Sequence, residues 1–133
     1  MERYDFTLNA DVRDNIIFDE PFIEEKYMGG TRMFATLSLD KFKQLLDLGY
    51  INLDDRQNAS PTTGELYNFV SKYPQVNFSG YTVSPFRQDY RVSFDELNCR
   101  KDITKELKED IAELASEADE VEIKDDYIRV WWD

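Results

Sequence analysis

Apolar residues recur at two different spacings along this chain, and each spacing marks out a kind of element. From Arg3 to Leu8, Tyr4, Phe6 and Leu8 alternate with polar neighbours, the period-two pattern of a half-buried strand. Between residues 10 and 30 the short apolar islands Ile16-Ile17-Phe18 and Pro21-Phe22-Ile23 stand in an acidic stretch closed by Gly29-Gly30. That stretch reads as loop with room for one short strand. Thr31 to Leu37 sets Met33, Ala35 and Leu37 against Phe34, as in a strand leading into a helix.

Ser38 then suits an N-cap, Leu39, Phe42, Leu45 and Leu46 fall at helical spacing, and Gly49 stands where a left-handed cap favours a residue without a Cβ. A second helix starts either at Ser60-Pro61 or at the capping box Thr62-x-x-Glu65. It carries Leu66, Phe69, Val70 and Tyr73 on one face and must stop near Tyr73, because Pro74 disfavours helical geometry in the residue before it. Val76, Phe78 and Gly80 alternate, the phase shifts at Tyr81 and Val83, and Tyr90, Val92 and Phe94 alternate again beyond Ser84-Pro85. The pattern is a hairpin with an irregular first strand.

Thr104 to Ala118 gives the strongest helical signal, with Leu107, Ile111, Leu114, Ala115 and Ala118 in one stripe and no proline or glycine inside. At the end, Val121 and Ile123 precede Asp125-Asp126 and Ile128, Val130 and Trp132 follow, as in two strands joined by a tight turn. The expected fold is α+β: an antiparallel or mixed sheet with two short helices and one longer acidic amphipathic helix packed on it. With 133 residues and no repeat or linker composition, residues 1–133 form a single domain.

Composition removes several kinds of chemistry. The chain has no histidine and one cysteine, Cys99, so serine–histidine and cysteine–histidine catalysis, thiolate metal clusters and an internal disulfide are all excluded. Cys99 is expected as a core residue. No apolar stretch is long enough to span a membrane, and the start, Met1 to Phe6, lacks the pattern of a signal peptide. A cytoplasmic protein is expected, with no membrane partner and no cofactor.

The formal net charge is -12, and it is unevenly placed. Residues 1–25 hold eight acids and two bases, and residues 102–126 hold eleven acids and three bases, whereas residues 72–101 hold three acids and five bases. On the last helix Glu106, Glu109, Asp110, Glu113, Glu117 and Glu120 surround the face opposite the apolar stripe. Such a surface attracts positively charged proteins and repels nucleic acid. Tyr127 and Trp131 fall on the face away from the core set, where they could anchor an interface; Trp132 belongs with the core.

Two weaker signals belong to other classes. The order helix, helix, hairpin over residues 38–94 resembles the end of a winged helix, with Arg87 and Arg91 on the wing, and Arg100 and Lys101 would extend a basic patch; the would-be recognition helix, however, offers only Lys72 and carries Glu65. Glu122-Ile123-Lys124 resembles the Glu-x-Lys half of the PD-(D/E)xK nuclease signature, which would hold magnesium on carboxylates, but its Pro-Asp partner motif is missing. The paired carboxylates Asp19-Glu20, Glu24-Glu25, Asp54-Asp55 and Asp125-Asp126 lack the spacing of a calcium loop. The expectation is therefore a non-enzymatic, acidic protein-interaction module of inhibitor, immunity or regulatory type that binds a basic partner, with a carboxylate-based metal-dependent nuclease or phosphodiesterase and a winged-helix-like nucleic-acid or protein binder as alternatives.

Overall fold

Ser38, Thr62 and Thr104 each end a stretch of extended backbone and begin a helix, their hydroxyl oxygens accepting from the backbone N–H of Lys41, Glu65 and Leu107. The computed structural model describes residues 9–56 and 59–133. The strand expected at Arg3–Leu8 lies outside them. In chain order the elements are α1 (Ala10–Phe18), a 3-10 turn at Glu24–Lys26, β1 (Thr31–Leu37), α2 (Leu39–Asp47), α3 (Thr63–Lys72), β2 (Asn77–Val83), β3 (Val92–Cys99), α4 (Lys105–Leu114), β4 (Glu120–Ile123) and β5 (Ile128–Trp131). The strands form one five-stranded sheet in the order β1-β2-β3-β5-β4, and every neighbouring pair is antiparallel. The protein is thus α+β.

The helices supply one side of a single core. Ile17 of α1, Phe42 and Leu45 of α2, Leu66 and Val70 of α3 and Leu107 and Ile111 of α4 join Phe34, Phe78, Phe94, Leu97, Ile128 and Val130 of the sheet in one buried cluster. Phe42 lies at its centre, stacked on Phe78 at 4.4 Å and tilted against Phe94 at 5.2 Å. Full burial of a side chain this size is worth about 1.5–3 kcal/mol. Because alternate residues of a strand point to opposite faces, the other face of the sheet carries Met33, Ser79, Tyr81, Glu96, Asn98, Arg129 and Trp131, and among the described residues no helix covers it.

Two expectations about helices need correction. Residues 10–18 are helical rather than loop: Asn9 caps α1 by accepting from Asp11 N–H, and the buried residues of the helix are Arg13, Asp14 and Ile17. α4 stops at Leu114, four residues before Ala118, and is no longer than α3. Ser116 N–H and Ala118 N–H donate to Glu113 and Ala115 carbonyls in a turn, and Asp119 N–H already reaches Trp131 O. The chain must leave the helix there to place β4 beside β5.

Several other local expectations hold. α3 starts at the Thr62–Glu65 capping box rather than at Ser60-Pro61. Gly49 follows α2 with φ +86°, Trp132 and Cys99 are buried, and β4 and β5 meet across the turn at Asp125-Asp126, closed by Lys124 N–H to Tyr127 O.

The irregularity expected in the β2–β3 hairpin sits on its partners instead. Ser79 pairs with Glu96 but Gly80 with Phe94, so Asp95 is an extra residue in β3. Phe34 pairs with Gly80 but Leu37 with Phe78, so β1 also carries one residue too many. Two bulges therefore flank β2 at Ser79 and Gly80, and they turn Asp95 and Glu96 together toward the uncovered face between the core residues Phe94 and Leu97.

Candidate partner-binding site

The six carboxylates expected to share one helical face are divided among four settings. Glu106 and Asp110 both accept from the Tyr73 hydroxyl, and Lys72 lies 3.0 Å from Asp110. The Tyr73 and Lys72 hydrogen bonds hold the Asp110 carboxyl below its ordinary range. Glu109 lies 3.8 Å from Lys105 on the same helix. Glu113 and Glu117 are exposed and have no cation partner among the described residues; Glu117 stands on the turn after α4. Glu120 lies on β4, on the uncovered face of the sheet, with Arg129 Nη1 at 2.5 Å. The helix surface and the sheet surface are thus two separate acidic regions.

The arginines expected on a nucleic-acid-binding wing, Arg87 and Arg91, are occupied within the chain. Arg87 donates from Nε and Nη2 to the Asp89 carboxylate at 2.8 and 2.6 Å, and Arg91 Nη1 donates to the same group at 2.8 Å. Burial would raise the Asp89 carboxyl, but the Arg91 and Arg87 hydrogen bonds outweigh it and hold the group below its ordinary value. Arg91 also reaches Ser93 and the Tyr81 hydroxyl, and Arg100 lies over the Tyr127 ring at 4.4 Å. Arg87 and Arg91 therefore have little left to offer phosphate. The hairpin is not a wing either: β2 and β3 are inner strands, flanked by β1 and β5. Glu122 of the edge strand β4 and Lys124, just beyond its end, lie 3.5 Å apart, and among the described residues no three carboxylates or thiols are grouped as metal ligands.

A concavity lined by described residues opens on this face of the sheet, where the two bulges meet. It has a volume of about 360 Å³, with Met33 on its β1 rim, Ser79 and Gly80 below, Asp95 and Glu96 on β3, and Arg129 and Trp131 on β5. The cross-strand register makes this arrangement: Ser79, Glu96, Trp131 and Glu120 form one row over β2, β3, β5 and β4, and Asn77, Asn98, Arg129 and Glu122 form the next. Arg129 sits between the rows, with Nε 2.7 Å from Glu96 and Nη1 2.5 Å from Glu120.

The floor is polar and internally satisfied. Asn98 Nδ2 donates to Ala35 O at 2.6 Å and to Ser79 Oγ at 2.7 Å, while Ser79 Oγ donates to the same Ala35 carbonyl. The β1 bulge exposes that carbonyl, and the two side chains claim it. Asp95 has its backbone carbonyl bound by Trp132 N–H, and its side chain accepts from the Trp131 side chain. Burial pushes the Asp95 carboxyl above its ordinary value, with the Trp131 hydrogen bond opposing and nearby Glu96 reinforcing the shift. Chemically the concavity offers acceptors and negative charge beside an indole ring.

Of the expected aromatic anchors, Trp131 is part of this concavity and Tyr127 is covered by Arg100. Asp95, Glu96, Met33 and Arg129 were not foreseen. The signal for Asp95 and Glu96 is in the sequence nonetheless: Val92 and Phe94 keep one alternation, Leu97 and Cys99 keep the other, and the change of phase marks the bulge between them.

These features define a class, an α+β protein whose antiparallel sheet is covered by helices on one face and presents an acidic, aromatic-walled face on the other. Compared with models of protein families, with curated proteins and with solved structures, the chain matches none.

Proposed function

We propose that this protein is a non-enzymatic binding module for a basic partner protein, of the inhibitor, immunity or regulatory kind. The observation that carries this reading is the imbalance of unpaired charge. Arg13, Arg32, Arg87, Arg91 and Arg129 each bind a carboxylate of their own chain, whereas Glu113 and Glu117 are exposed and meet no cation among the described residues. A surface arranged in this way steers a positively charged protein toward it and disfavours anionic partners.

The test is an affinity capture from the native lysate with the wild type and with the triple variant Glu109→Lys, Glu113→Lys, Glu117→Lys. The expected result is a captured protein of basic composition that salt elutes and that the triple variant, still folded, fails to retain. Capture of no basic protein, or equal capture by both forms, would remove the reading.

A further inference from the structure

We infer that the concavity between the two bulges is a socket for one arginine side chain presented by the partner. The inference rests on the reading of a basic partner and adds where, and by which side chain, that partner is recognised.

The chemistry of the lining selects a cation with several donors. Ser79 and Asn98 spend their donors on Ala35 O and on each other, and Arg129, the only cation in the lining among the described residues, is engaged by Glu96 and Glu120. What remains for a guest is carboxylate oxygen, from Asp95 and Glu96. An anion would meet those carboxylates without a free donor to offset them.

The ring beside the carboxylates narrows the choice to a planar cation. This fold repeatedly lays a guanidinium on an aromatic ring: Arg32 over Phe18 at 3.7 Å, Arg100 over Tyr127 at 4.4 Å, Arg13 over Tyr90 at 4.5 Å and Arg91 over Tyr81 at 5.7 Å. Trp131 has the best face for such a contact, and it carries no cation among the described residues. A guanidinium stacked there would have the Asp95 and Glu96 carboxylates beside it in the same lining, and its flat face and several donors suit ring and carboxylates together better than a lysine ammonium does. Met33, 82% exposed at the rim, is a flexible apolar side chain placed to cover the methylene stem of the guest.

The experiment titrates the protein with a blocked glycine–arginine–glycine peptide and with its lysine and citrulline counterparts, following backbone amide signals by NMR and tryptophan fluorescence. The arginine peptide should shift the signals of Ser79, Gly80, Asp95, Glu96 and Trp131 and saturate in the millimolar range, as a single side chain can. Lysine should bind several-fold more weakly and citrulline should not bind. Asp95→Asn and, separately, Trp131→Leu should each weaken the arginine peptide roughly tenfold, and Met33→Ser, on the exposed rim, gives a third variant should either fail to fold. Equal shifts with arginine and lysine, shifts confined to the Glu113–Glu117 region, or no shifts would each overturn the socket. None of these results touches the capture experiment with the α4 variant, so the basic-partner reading stands or falls separately.

Discussion

The guanidinium of Arg13 lies 2.7 Å from the carboxylate of Asp14, its neighbour in sequence, and neither side chain is exposed to solvent. Their remaining groups are also bound: Arg13 Nη1 donates to Val83 O at 2.7 Å and Nη2 to the Tyr27 hydroxyl at 2.9 Å, which in turn donates to Asp14 at 2.5 Å. The network fastens α1 to β2 and to the turn before β1. Removing one partner leaves the other charge buried alone, so Arg13→Met or Asp14→Leu should each lower stability by about 3–5 kcal/mol. The double variant should lose much less than the sum, because no charge is then stranded. Urea unfolding with an unchanged slope is the measurement; additive losses would show that the pair is not acting as a unit.

Gly80 and Gly49 should respond to alanine in different ways. A Cβ at Gly80 would stand 1.9 Å from Ser93 O, backbone that cannot swing aside, at the point where β2 and β3 come closest beside the bulge. At Gly49 the same Cβ would meet nothing within 4 Å, and only its φ of +86° resists. Gly80→Ala should therefore lose about 3 kcal/mol and shift amide signals on both sides of the bulge, whereas Gly49→Ala should lose about 1 kcal/mol and leave them in place. Equal losses at the two positions would contradict the close approach.

Buried hydroxyls set the alkaline limit of the fold. Burial pushes Tyr27, Tyr73 and Tyr90 up to about 12, Asp14 adding to the shift at Tyr27 and Asp110 and Glu106 at Tyr73. A folded-state pKa raised above the unfolded value of 10.0 means that stability is fully present below that value and is lost as the pH rises through about 12. Absorbance of tyrosinate should show Tyr27, Tyr73 and Tyr90 ionising only as circular dichroism reports unfolding. A single ordinary transition for all of them would place these hydroxyls in water.

What the sequence made legible follows from where polar residues are hidden. α2, α3 and α4 declare themselves because Ser38, Thr62 and Thr104 are caps and because Phe42, Leu66 and Leu107 repeat at helical spacing on a buried face. α1 does not, since two of its buried residues are Arg13 and Asp14, which read as surface in any hydropathy pattern. The acidic row on α4 was visible, yet its division between Tyr73, Lys72 and Arg129 depends on contacts between elements 33 or more residues apart in the case of Tyr73 and nine apart for Arg129. The concavity was hidden for a related reason. Asp95 and Glu96 look like surface charges in a strand, and only the register against Ser79 and Gly80 shows that both face the same side.

Asp95 should behave as a residue that the fold would be more stable without. Burial raises its carboxyl from the ordinary 3.8, so the folded state holds the proton more tightly than the unfolded chain does. The contribution of this one group is then fully present below 3.8 and is lost as the pH rises through its higher folded-state value. Asp95→Asn cannot ionise and can still accept from Trp131. It should match the wild type in acid and exceed it at neutral pH, by a few degrees in melting temperature. Thermal melts of both forms from acid to neutral pH measure the difference directly. A gain at neutral pH together with a weaker arginine contact would mark Asp95 as a carboxylate held in an unfavourable place by what it binds. A neutral-pH loss would mean instead that its charge already has a stabilising partner within the chain.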